Sequence, residues 1–178
     1  MLIKTTKYRF LVQQYKNRVY SYSVMLLRNK MDADDISQEV LIRIWENMDQ
    51  FNILSAASWI MKTTHNLCID YLRKRKRNFT RELEISDEIA ETVKDNCNAS
   101  NPFAAAHMND ISQKVEEAIG RLPENLRSVF VMYEINEMKY VEISKALDLP
   151  LNSVKVYLLR ARKRLQEDLK CCEVQELF

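Results

Sequence analysis

A single glycine, Gly120, and three prolines punctuate 178 residues. Tight hairpins draw on glycine for their positive-φ positions, and a phosphate-cradling loop cannot be built without it. The composition therefore leaves few turn-formers for hairpins and no glycine-rich phosphate loop, and helices joined by short polar loops suit it better. The opening stretch MLIKTTKYRF has no long apolar core, so it does not read as a secretory signal, and no run in the chain reaches membrane-spanning length. The four cysteines, Cys68, Cys97, Cys171 and Cys172, are then expected to be reduced thiols of a cytoplasmic protein, with no membrane insertion. His65-x-x-Cys68 has the spacing of half a metal site, but no second half follows at zinc-like distance. No metal, no other cofactor and no small-molecule substrate is expected. The absence of any nucleophile signature argues against an enzyme, and no catalytic residue is assigned.

What the chain does have is apolar material, 47% of its residues, at helical spacing. Leu11, Tyr15, Val19, Tyr22 and Leu26 mark a first helix over 8–28. A second, over 35–49 with Asp34 as its cap, carries Val40, Leu41, Ile44 and Met48 in one stripe. A loop over 51–57 leads to a third helix capped by Ser58, with Ile60, Thr64, Leu67 and Tyr71 on its inner edge. These helices make a bundle over 1–78. Residues 79–106 are acidic, lose periodicity and close on Asn98-Ala-Ser-Asn-Pro102, the composition of a linker, with at most a weak helix near 84–93. Periodicity resumes with Ile111, Val115, Ala118 and Ile119, stops at Gly120 and restarts at Pro123, placed as a first helical residue. Leu126, Val129, Phe130, Met132 and Tyr133 then mark a strongly apolar helix. The expected fold is all-α: two helical domains, 1–78 and 107–178, joined by an acidic tether.

Charge is nearly balanced, 27 basic against 25 acidic residues, yet it is segregated along the chain. Asp32, Asp34, Asp35, Glu39, Glu46 and Asp49 form an acidic block, Arg73 to Arg77 a basic one, and Lys155 to Arg164 another. Separate stretches of opposite sign suit different partners, at least one of them a polyanion. The alternative is solvated helix faces with no partner. A helix C-terminus favours one or two cations through its dipole, but five in a row exceed that explanation.

Residues 139–165 have helix-turn-helix grammar: a short helix with Val141, Ile143, Ala146 and Leu147, the turn Asp148-Leu-Pro-Leu151, then a longer helix with a basic end. On that second helix Val154, Leu158, Ala161 and Leu165 face inward. Asn152, Ser153, Val156, Arg160, Lys163 and Arg164 face outward, with Lys155 and Tyr157 on the flanks. Arginine and lysine bond phosphates or guanine edges, and Val156 and Tyr157 offer thymine-methyl contact or stacking. An ordinary cationic helical hairpin is the competing reading. The third helix is built likewise, with Lys62, Asn66, Ile69, Arg73, Lys76 and Arg77 outward and Trp59 and His65 beside them. Its cations would hold a backbone while Lys62, His65 and Asn66 touch bases. Trp59 either stacks on an unpaired base or anchors the bundle. On the second helix Asp35, Gln38, Glu39 and Arg43 point outward with Leu41 and Trp45 at the stripe's border. An anionic surface edged by tryptophan repels nucleic acid and suits a protein partner.

Asp32-Ala-Asp-Asp-Ile-Ser-Gln-Glu-Val-Leu-Ile-Arg-Ile-Trp45, then Ala57-Ser-Trp-Ile with Asn66, Asp70, Leu72 and Arg73, then Leu122-Pro with Arg127 and Phe130, then the helix-turn-helix ending Arg160-Ala-Arg with Leu165, together resemble the extracytoplasmic-function group of bacterial sigma factors. The resemblance spans nearly the whole chain in the family's order. It implies a factor that binds core RNA polymerase, directs it to promoter DNA and opens that DNA, often under the control of an anti-sigma factor. By the same resemblance, Asp35, Gln38, Glu39, Leu41 and Trp45 grip the polymerase. The loop 51–57 with Trp59, Lys62, His65 and Asn66 melts and reads the minus-ten element, where Arg73, Lys76 and Arg77 hold the adjoining backbone. Ser153, Lys155, Val156, Tyr157, Arg160 and Arg164 fall on the minus-thirty-five reader, and the acidic tether resembles the segment that the family threads through the polymerase's RNA channel.

Three departures from the family pattern stand out. The usual turn glycine is Asp148, a residue that tolerates left-handed backbone. The recognition helix opens Asn152-Ser-Val-Lys-Val-Tyr157, exchanging a cation and a hydroxyl for apolar and aromatic groups, which bears on promoter preference. The loop before Ser58 is short. Two other functions compete with the resemblance: a stand-alone helix-turn-helix regulator, which would bind duplex DNA tightly by itself, and a helical interaction protein whose basic ends are only solvated surface.

Overall fold

A computed structural model describes residues 2–49, 55–85 and 108–175, and every regular element among them is helical. The N-terminal part consists of α1 (Leu2–Leu27), α2 (Lys30–Glu46) and α3 (Ala56–Ile85). The C-terminal part consists of α4 (Met108–Arg121), α5 (Glu124–Phe130) running on into a π-helical turn (Val131–Ile135), α6 (Tyr140–Leu147) and α7 (Leu151–Gln175).

The apolar stripe of α1 packs as its spacing requires, with Leu11, Tyr15, Val19, Tyr22 and Leu26 all buried. Val40 and Ile44 of α2 join them, with Met48 just past the helix, which stops at Glu46 and not at the predicted residue 49, while Leu41 is half-buried. Helix α2 begins earlier than its acidic cluster suggests. The Asn29 side chain, not Asp34, is the cap, accepting from the Met31 and Asp32 amides at 2.9 and 3.3 Å. Arg28 supplies the reversal between α1 and α2 with a positive φ of 54°. The first three residues of the predicted second helix are thus already interior to it.

Helix α3 also departs from its predicted bounds. It starts at Ala56, ahead of Ser58, and continues through Ile85, so residues 79–85 extend the helix instead of opening the tether. Asn78 to Ile85 contains no glycine or proline, and Arg, Glu and Leu are good helix formers. The remainder of the predicted tether, 86–107, lies outside the described residues, as does most of the 51–57 loop. The buried face of α3 is wider than one stripe. Ile60 and Thr64 are buried as expected, but so are Met61, Cys68 and Ile69, the last at 7% exposure despite its outward assignment. Leu67 and Tyr71 are only half-buried. The physical reason is that α3 has neighbours on more than one side: α1 and α2 of its own bundle, and α6 of the C-terminal part.

In the C-terminal part Ala118 and Ile119 of α4, Val129 of α5 and Met132 of the π turn are buried together with Ile143, Ala146, Val154, Leu158, Ala161 and Leu165. Pro123 sits one residue before α5 as its cap, with φ −52° and ψ 145°, and is not its first helical residue. Gly120 does not end α4, which runs to Arg121. Its missing side chain serves close approach instead: a Cβ there would lie 3.0 Å from the Arg28 guanidinium.

Candidate nucleic-acid and protein interfaces

The helix-turn-helix is built by its turn. Asp148 ends α6 in left-handed backbone, φ 53° and ψ 41°, the conformation its residue type tolerates in place of glycine. Ser144 closes the corner from both sides: its carbonyl accepts the Leu149 amide at 3.0 Å, and its hydroxyl donates to the Leu149 carbonyl at 2.6 Å. At the other end of α6 the Glu142 carboxylate accepts the Lys139 amide at 2.9 Å. These bonds fix α7 at a set angle to α6, and α7 buries Val154, Leu158, Ala161 and Leu165 beneath itself. Lys155, Val156, Arg160 and Arg164 are left exposed on the opposite face; Ser153 and Tyr157 are half-buried at its edges, Tyr157 against the core. Val141, expected among the apolar residues of α6, is 54% exposed, and Leu159 adds an exposed leucine that the wheel did not single out.

Arg162 differs from its neighbours. Its guanidinium donates to Glu134 at 2.6 and 2.8 Å and lies over the Tyr133 ring, which itself stacks on Tyr140. That arginine ties α7 to the π turn.

On α3 the exposed residues include Asn66, Arg73, Lys74, Arg75, Lys76, Arg77 and Asn78, so the basic run forms an uninterrupted cationic helix surface. Arg73 pairs loosely with Asp70, at 3.8 Å. Trp59 is half-buried and packs against the core. Lys62 does not stand alone, since its ammonium contacts the Asp148 carboxylate at 2.6 Å. His65 lies beside the outward row, as the wheel placed it, and is half-buried. Its Nδ1 meets the Tyr22 hydroxyl at 2.8 Å, and burial first, then the nearby Arg73, push its pKa down to about 4. It is a neutral ring turned toward α1. Cys68 is likewise occupied: buried, its thiol donates to Ser23 at 3.7 Å, and burial pushes its pKa up to about 12. The two residues of the half-site spacing thus face α1 hydroxyls, and no metal-binding cluster occurs among the described residues.

On α2, Asp35 and Gln38 are exposed, Glu39 is half-buried and paired with Arg43 at 2.8 Å, and Trp45 is 40% exposed. Tyr8 meets Trp45 edge-on at 5.2 Å and Lys4 lies 5.5 Å above its ring, so the tryptophan is held from α1. Gln38 and Leu41 line a groove of about 370 Å³ between α1 and α2, together with Lys16, Asn17 and Tyr20.

The Sigma-70 region 2 family matches residues 11–78, and the Sigma-70, region 4 family matches residues 112–165. The ECF RNA polymerase sigma factor SigW of Bacillus subtilis (strain 168) is 30% identical over 163 residues, covering 90% of this chain and 87% of the relative. The chain belongs to the extracytoplasmic-function sigma factors. SigM of the same organism is 29% identical over 154 residues, 86% of this chain and 90% of the relative. Two solved structures share the fold: the sigma factor RpoE in complex with the anti-sigma factor NepR from Bartonella quintana, with TM-score 0.65 and 23% identity over 89% of this chain and 94% of the other, and CnrH in complex with the cytosolic domain of CnrY, with TM-score 0.65 and 19% identity over 92% and 88%. As a sigma factor the chain is a transcription initiation factor that directs RNA polymerase to promoters, all-helical in its described residues, with a region 2 bundle and a region 4 helix-turn-helix. None of its described helices is long and apolar enough to cross a membrane.

Proposed function

We propose a division of labour among three faces of this sigma factor. The α2 face of Asp35, Gln38, Glu39, Leu41 and Trp45 binds core polymerase. The α3 face of Trp59, Lys62 and Asn66, extended by Arg73, Lys76 and Arg77, reads the minus-ten element and holds its backbone. The α7 face of Ser153, Lys155, Val156, Tyr157, Arg160 and Arg164 reads the minus-thirty-five element. His65 supports the α3 reader from beneath and makes no base contact. Region 2 comprises residues 1–78, an acidic linker residues 79–106 and region 4 residues 107–178, and the factor works in the cytoplasm under an anti-sigma factor that covers its faces.

The observation that carries this reading is the sorting of exposed charge: cations run along α3 and α7, while the tryptophan-edged α2 surface carries carboxylates. Polyanions are held by the first kind of surface and repelled by the second. Permanganate reactivity of unpaired thymines, measured on promoter DNA with the chain and core polymerase, tests the assignment. Asn66→Ala should lower the reactivity near minus ten and leave polymerase association intact. Unchanged reactivity would remove Asn66 from the reader.

A further inference from the structure

The first turns of α1 hold the last turn of α2, and the side chain they hold is Trp45. Lys4, Lys7 and Tyr8 stand at i, i+3 and i+4, so one face of α1 carries all three. Helix α2 is closed by Asn47, whose backbone and side-chain amides both donate to the Arg43 carbonyl, at 3.0 and 2.9 Å. The Lys7 ammonium donates to the Met48 carbonyl just beyond, at 3.2 Å, a cation where the helix dipole favours one. The Lys4 ammonium pairs with the Asp49 carboxylate at 2.7 Å and holds that carboxyl below its usual range. The same ammonium lies 5.5 Å from the centroid of the Trp45 ring. Tyr8 packs on the core and meets that ring at 5.2 Å with the planes 80° apart, the edge-to-face geometry that aromatic quadrupoles favour. The indole is thereby fixed from α1 with 40% of its surface still exposed. Ile42, three residues back on α2, is 53% exposed, so an uncovered apolar neighbour stands beside the tryptophan on the helix surface.

We infer that Lys4 and Tyr8 are positioning residues for polymerase association: they preset the Trp45 ring as the anchor that enters core polymerase. The inference rests on the assignment of the α2 face to that partner. A surface tryptophan without neighbours samples several staggered side-chain wells, and immobilising it on binding lowers affinity. Here the ring is ordered in the free chain by contacts within the bundle. Buried aromatic anchors carry a large share of the affinity between proteins, so the gain falls where it counts most. Beside Trp45 and Ile42 stand Gln38, Glu39 and Glu46, which fit an apolar pocket with a basic or hydrogen-bonding rim. Lys4, Lys7 and Tyr8 precede residue 11, where the region 2 match begins, so this support is not carried by the matched segment. Nor is the packing of α1 on α2 dependent on Lys4, since Leu11, Tyr15, Val40 and Ile44 are buried in that core.

Titration of the full chain with core polymerase, run as a double-mutant cycle, tests the positioning role. Tyr8→Ala should weaken association roughly three- to tenfold, the effect of one side chain newly immobilised on binding. Tyr8→Phe, which keeps the ring edge, should restore it. Lys4→Ala should act in the same direction by roughly twofold. In a Trp45→Ala background both substitutions should lose their effect, because they act through the indole. Time-resolved anisotropy of Trp45, with Trp59→Phe leaving it the sole tryptophan, should show faster local motion in Tyr8→Ala than in Tyr8→Phe. Wild-type affinity of Tyr8→Ala, an equal cost with and without Trp45, or unchanged indole motion overturns the inference. If Tyr8→Ala loses helicity, Lys4→Ala, at a partly exposed residue, decides by the same cycle and the same anisotropy. Trp45→Ala alone is the separate control. Wild-type affinity of that variant sinks the assignment of Trp45 to the polymerase face, and the inference with it. Weakened binding by Trp45→Ala with no effect of Tyr8→Ala or Lys4→Ala sinks only the positioning role.

Discussion

The Tyr22 hydroxyl of α1 and the His65 imidazole of α3 meet at 2.8 Å in the interior of region 2. Burial holds the imidazole neutral, with its pKa pushed from 6.5 to about 4, and pushes the tyrosine far above its ordinary range. The folded chain therefore binds fewer protons than the unfolded one between those two values. Its stability from this site is complete above pH 6.5 and is lost as pH falls toward 4. At pH 5 the loss should be about 2 kcal/mol by the pKa difference. Chemical denaturation at pH 7 and pH 5 measures it. His65→Gln, which can still accept from Tyr22, should flatten the dependence in that window. An unaltered slope would mean that other groups govern it.

Arg160 and Arg162 stand two positions apart on α7 and should fail differently. Arg162 holds Glu134 and Tyr133, so Arg162→Ala should cost roughly 0.5–1.5 kcal/mol of stability. Arg160 is exposed, and Arg160→Ala should leave the melting temperature in place. If it makes a bidentate base contact, its loss costs roughly 1–3 kcal/mol at one position of the upstream element. Equal losses on all promoters would reduce it to a phosphate contact.

Substitution at Gln38 or Glu39 should weaken association with core polymerase without changing which promoters are used. Glu39→Lys reverses the charge of a residue now paired with Arg43 and should have the larger effect. Binding titrations with core polymerase, beside promoter competition in transcription, separate the two readouts. A shift in promoter choice would contradict the division between the α2 and α3 faces.

Glu137 is held at φ 52° without the help of a glycine. A non-glycine residue in that region is strained by roughly 1 kcal/mol. Glu137→Gly should therefore raise stability by about 0.5–1 kcal/mol, partly offset by the freer unfolded chain, and the melting temperature by about 1–4 °C. A fall would show that the Glu137 side chain makes a stabilising contact.

The sequence carried the helical periods well because each core stripe repeats over several turns: all five α1 positions and all four α7 positions lie where their spacing puts them. The left-handed turn at Asp148 was legible from the resemblance, which puts a glycine there, together with a residue type that tolerates that backbone. What stayed hidden depends on contacts between distant segments. A wheel drawn for one partner misplaces Ile69 because α3 is flanked by α1, α2 and α6. Asn29 outcompeted Asp34 as a cap because the chain reverses at Arg28, a residue that nothing marks as a turn former. The π turn leaves no periodic trace. For the candidate faces, exposure of the cations was readable from charge runs, whereas the engagement of Lys62 with Asp148, 86 residues away, was not.

Run-off transcription with purified core polymerase, on DNA from upstream of the chain's own gene, tests the central claim most directly. A discrete transcript should appear only when the chain is added, and should disappear when Arg73, Lys76 and Arg77 are reversed in charge. An unaltered transcript pattern with and without the chain would contradict it, as would activity that survives the reversal.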